Sequence, residues 1–119
     1  MTTFTIPRGS TKTMSIVVKN SRGVVQDITG MTIEVAVKRN PDDREEELVF
    51  KTTATPGDGE FVNAVLGLVD MYFLPADTED LTPDTYWFDV WAVEGADRYQ
   101  IVVPSKFIVA GRVLDMDGA

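Results

Sequence analysis

Thirteen residues constrain this chain most: Leu81-Thr-Pro-Asp-Thr-Tyr-Trp-Phe-Asp-Val-Trp-Ala-Val93. The first half is turn chemistry. Pro83 presets φ for the second position of a turn, and Asp84 and Thr85 can bond back to the backbone. From Tyr86 the residues alternate as on an extended strand. Tyr86, Phe88, Val90 and Ala92 share one side; Trp87, Asp89, Trp91 and Val93 share the other. Only the second side carries a charge. The first therefore belongs to a core, and Trp87, Asp89 and Trp91 belong to an outer sheet face. The spacing from Leu81 to Tyr86 fits a β-sandwich corner, in which a tyrosine hydrogen-bonds back across the preceding turn.

Similar short alternating runs fill the chain. Phe4 and Ile6 alternate until Pro7 stops them, as at a sheet edge. Met14, Ile16 and Val18 form a half-buried strand, and Ile33, Val35 and Val37 a cleaner one. Leu48 to Thr53, and Val69, Met71 and Phe73, continue the pattern; between them Phe61 to Leu66 is apolar but interrupted by Asn63. Tyr99, Ile101 and Val103 return antiparallel after a Glu94–Asp97 hairpin, with a break or bulge at Pro104 before Phe107 and Val109. Turn signals separate the runs, notably Asn20–Gly23, Thr29-Gly30 and Thr55–Gly59. One helical turn is predicted over residues 75–81, where Pro75 suits a first helical position and the acids suit an N-terminal turn. About seven to nine strands at roughly 8–12-residue spacing predict an antiparallel β-sandwich. We expect a single sandwich domain over residues 1–113. An acidic tail over residues 114–119 is expected to stay mobile unless a partner holds it.

Charge narrows the possible partners. Nineteen acidic residues against eleven basic give a net charge of −8. Phosphate binding needs a basic face, so direct contact with nucleic acid or an anionic membrane is not expected. No run approaches the ~18 apolar residues of a membrane span, and residues 1–8 do not read as a signal peptide.

Chemistry is also narrowed. The chain has no histidine and no cysteine. The usual general base, the thiolate nucleophile and disulfides are therefore unavailable. No serine sits in a nucleophile elbow. Asp42, Asp43 and Glu45–Glu47 could gather around calcium, but their spacing is not that of an EF-hand, and a solvated charged loop is the simpler reading. Neither an enzyme nor a cofactor is expected. The remaining candidates are surface aromatics. Trp87, Asp89, Trp91 and Tyr99 are expected together on one outer face as a partner-binding surface.

The order of elements resembles a known family. Phe4-Thr-Ile-Pro-Arg-Gly-Ser10 resembles an opening strand and turn, and Asp27-Ile-Thr-Gly30 a turn before a long strand. Pro75-Ala-Asp-Thr78 with Leu81, then Leu81 to Val90, and finally Phe107-Ile-Val109 follow in the same order. Together they resemble the immunoglobulin-like β-sandwich of tailed-bacteriophage virion proteins, such as the N-terminal domain of baseplate upper proteins. Asp84 stands where that pattern has glycine, and Ser105-Lys106 replaces the glycine before Phe107. The resemblance implies a structural virion protein, of the baseplate, tail or neck, assembled with other virion proteins and with its own copies. It would be made in the host cytoplasm and found in the virion. The alternatives are a head decoration protein, or a carbohydrate-binding module using Trp87, Asp89 and Trp91 as a stacking platform.

Overall fold

A computed structural model describes residues 3–40 and 47–111. Eight strands and one helical turn follow one another in it. They are β1 (Phe4–Pro7), β2 (Lys12–Val17), β3 (Thr32–Lys38), β4 (Glu47–Thr52), β5 (Gly59–Asn63), β6 (Leu68–Phe73), α1 (Pro75–Thr78), β7 (Asp84–Glu94) and β8 (Asp97–Ala110). They form a five-stranded sheet, β1-β8-β7-β3-β4, and a three-stranded sheet, β2-β6-β5. That order is immunoglobulin-like: β8-β7-β3-β4 occupies the G-F-C-C′ places and β2-β6-β5 the B-E-D places.

The inward side chains of both sheets meet in one apolar layer, as stacked sheets require. The long strand behaves as its alternation predicts. Tyr86, Val90 and Ala92 are buried and Phe88 is 5% exposed, while Trp87, Asp89 and Trp91 are half-buried on the far side. β3 supplies Ile33, Val35 and Val37 to the same layer, and β2 and β6 supply Met14, Ile16, Val69, Met71 and Phe73. Four phenylalanines tie the sheets together. The Phe73 and Phe107 rings lie 5.3 Å apart, Phe4 stands 5.4 Å from each, and Phe88 is 6.2 Å from Phe107. Such tilted and edge-on pairs add to simple area burial.

Local chemistry explains the connections. The Tyr86 hydroxyl donates to the Thr82 carbonyl at 2.7 Å, which is the corner bond that the Leu81–Tyr86 spacing predicts. β7 and β8 are joined by Gly95-Ala96 alone, with Glu94 opposite Asp97. Gly95 has φ +60° and Ala96 is not left-handed, as a type II′ hairpin requires. Gly67, at φ +70°, lies so close to the 18–28 loop that a Cβ would sit 2.7 Å from the carbonyls of Gln26 and Val18. At the other end, the buried Thr78 hydroxyl accepts from the Gly9 amide at 2.9 Å. Lys51, 6% exposed on β4, pairs with Asp77 of α1 at 2.7 Å.

Several expectations need correction. The sheet is not wholly antiparallel, because β1 runs parallel to β8, with Phe4 opposite Phe107 and Pro7 opposite Ala110. Residue alternation carries no information on strand direction, so it could not reveal this. The interruption that Asn63 signals in the Phe61–Leu66 run is present, since β5 ends there and residues 64–67 turn. The predicted bulge near Pro104 is present as a register shift between Phe88 and Val90, followed by another at Val90/Trp91. These shifts leave Ile101 only partly buried against the core rather than fully inside it. The expected acidic tail lies outside the described residues, and so do residues 41–46 of the charged loop.

Candidate functional site

The outer face of the five-stranded sheet is built by strict alternation. β7 contributes Trp87, Asp89 and Trp91. On β3, Lys38 lies opposite Trp87, Ala36 opposite Asp89 and Glu34 opposite Trp91. On β8, Lys106 lies opposite Trp87 and Gln100 opposite Trp91. β4 adds Phe50, in register with Ala36 and 44% exposed. The row Phe50–Ala36–Asp89 therefore crosses the face at the level between the two indoles. Ala36 is only 7% exposed although it points outward, because larger neighbours rise on both sides of it.

Trp91 is partly covered from within the chain. The Arg98 guanidinium lies 5.1 Å from the centre of its ring, and Arg98 Nη2 donates to Glu34 Oε1 at 3.1 Å. The ion pair is exposed on the arginine side, 57% against 23% for Glu34, so it contributes at most about 1 kcal/mol. Its effect is to hold the guanidinium over the indole, a cation–π contact worth about 0.5–1 kcal/mol at exposed sites. Asp89 has Trp87 and Trp91 as its strand neighbours on the same face, each about 7 Å along the chain. Among the described residues no hydrogen bond or ion pair engages its carboxylate. Beside it opens a depression of about 540 Å³, walled by Trp91 and Phe50 and floored by Ala36. A second, much smaller recess lies on the other side, between Trp87 and Pro104.

Tyr99 does not belong to this surface. It lies opposite Ala92, whose side chain is in the core, and opposing residues of an antiparallel pair share a face. Arg98 and Gln100 take the outward positions that flank it. Tyr99 is nevertheless 50% exposed, because it stands where the sandwich opens beside the β7–β8 hairpin. It lines a separate depression of about 630 Å³ with Met31, Gln26 and Ile101. The sequence brings together Trp87, Asp89 and Trp91, and the structure keeps those three together. It adds Arg98, Glu34, Ala36 and Phe50, which the sequence reading missed. Phe50 was visible as an apolar residue of a strand, but its outward parity follows only from pairing with Ala36.

Among the described residues, Tyr72 and Asp27 have displaced pKa values, both away from this face. Tyr72, on β6 of the smaller sheet, donates its hydroxyl to Glu60, and that bond to a carboxylate raises its pKa to about 12. The hydroxyl and backbone amide of Thr29 hold the Asp27 carboxyl below its ordinary value. Among the described residues no group of three or more potential ligands is gathered for a metal ion. No known family model matches the chain, and no curated protein matches it.

Proposed function

We propose that this chain is a structural component of a tailed-bacteriophage particle, a baseplate, tail or neck accessory protein, and that it works by protein–protein assembly without catalysis. The observation that carries the reading is the outer face of the five-stranded sheet. Trp87 and Trp91 lie outside the buried core, yet both half-buried indoles stand on one sheet face with Phe50 and Arg98 beside them. Tryptophan and arginine are the residue types that dominate contact energetics, and large apolar groups on a sheet face favour a partner that covers them. The sequence resemblance to phage virion sandwiches supplies the setting, and ring or capsid symmetry would repeat the contact between copies and with other virion proteins.

The test uses purified particles from the host that makes this chain. Mass spectrometry should find the protein in them, and the double variant Trp87→Ser/Trp91→Ser should fold but be missing. Absence of the wild-type chain from particles, or normal incorporation of the variant, would overturn the proposal. Where in the particle the chain is found separates a tail or neck role from head decoration.

A further inference from the structure

The geometry points to the partner group that this face receives: we infer that the depression beside Asp89 takes the guanidinium of an arginine on the partner protein. The inference rests on the assembly reading above and specifies its chemistry. Its starting point is a pattern already present in the chain. Glu34, Trp91 and Arg98 form a complete set, with a carboxylate at 3.1 Å from a guanidinium that lies on an indole. One step along the same strand face, Asp89 sits between Trp91 and Trp87 with no cation engaged among the described residues. The aromatic surface and the carboxylate are in place, and the guanidinium is the group that would complete them.

Charge agrees with this. Among the described residues the depression is lined by three carboxylates, Glu34, Glu47 and Asp89, against two cations, Lys38 and Arg98. Arg98 is matched to Glu34, which leaves Lys38 as the other cation among the described lining residues. Lys38 and Lys106 both lie opposite Trp87 on the neighbouring strands, so the Trp87 side of Asp89 carries two cations, whereas on the Trp91 side Arg98 is paired with Glu34. Ala36 keeps the floor low there, and Phe50 forms the far wall. Arginine suits such a site better than lysine. Its planar, weakly hydrated guanidinium stacks on an indole while its edge meets a carboxylate, whereas an ammonium keeps more of its water. A half-buried carboxylate also forms stronger hydrogen bonds to a charged donor than to a neutral one.

The experiment titrates the isotope-labelled full chain with N-acetyl-arginine amide, and with N-acetyl-citrulline amide as the neutral isostere, following amide and indole N–H signals by NMR. Arginine amide should shift the Trp91 indole and the Ala36 and Asp89 amides saturably. Citrulline amide on the wild type, and arginine amide on Asp89→Asn, should bind at least roughly tenfold more weakly, as loss of a charge-assisted bond implies. Equal shifts with citrulline, equal binding to Asp89→Asn, or no response at these signals would each overturn the inference. Particle incorporation separates it from the broader reading. If Trp87→Ser/Trp91→Ser blocks incorporation and Asp89→Lys does not, the assembly face stands and the guanidinium site falls. If Asp89→Lys also blocks it while melting like wild type, the site is supported. If neither variant blocks it, both proposals fall.

Discussion

Replacing Tyr86 by phenylalanine removes one oxygen from the corner that closes the turn before β7. The Tyr86 ring is fully buried and phenylalanine keeps the same ring, so the perturbation isolates the 2.7 Å bond to Thr82. A typical intramolecular hydrogen bond contributes about 0.5–1.5 kcal/mol net, and an acceptor stranded without water costs about 1–3 kcal/mol. Thr82 is itself exposed, so water can reach its carbonyl and the larger penalty is partly relieved. The expected loss is therefore about 1–2 kcal/mol. For a chain of 119 residues, an unfolding entropy of about 2.1 cal/mol/K per residue gives a total near ~250 cal/mol/K. Tyr86→Phe should then melt about 4–8 °C below wild type by calorimetry. Tyr72→Phe is the matched control: it also removes a tyrosine hydrogen bond, but an exposed one, and should leave the melting temperature nearly unchanged. If the two variants melt together within a degree or so, the corner bond does not hold the turn and the reasoning fails.

Two further outcomes follow from charged groups. Asp77→Ala would leave Lys51 buried without its partner and the Leu74 amide without its acceptor at 2.7 Å. Denaturant titration should show a loss of about 3 kcal/mol, and Lys51→Met in that background should recover part of it; no recovery would mean the stranded lysine is not the cause. Tyr72 has a folded pKa raised from 10.0 to about 12, so the stabilisation it gains from Glu60 is complete below pH 10 and is lost as pH rises through about 12. Ultraviolet titration should therefore show one phenol ionising near pH 12 that moves down in Glu60→Gln; an unchanged curve would remove Glu60 as the cause.

Much of the architecture was legible because it is local. The period-2 pattern of Tyr86–Val93 fixed which side chains go inward, the Leu81–Tyr86 spacing announced the corner, and Pro75 marked the start of α1. What stayed hidden is decided between segments distant in sequence. Alternation cannot tell a parallel neighbour from an antiparallel one, so the place of β1 was lost. Lys51 reads as a surface residue until Asp77 is brought against it. The Glu34–Arg98 bond spans 64 positions, so no local pattern could show that Trp91 is covered. Tyr99 was misplaced because its parity was not set against that of Ala92. Its exposure comes from standing at an open end of the sandwich rather than from facing outward.

The parallel pairing of β1 with β8 also has a mechanical consequence. Phe4 begins the shared ladder and Ala110 ends it, with both strands running the same way. Tension applied through these two residues pulls the strands past each other lengthwise. All rungs then carry the load together, including the bond from the Arg8 amide to the Ala110 carbonyl at 2.8 Å. An antiparallel pair pulled from a common end would instead open one rung at a time. The same four residues that look marginal as an edge strand thus act as a shear clamp between the start and the end of the sandwich.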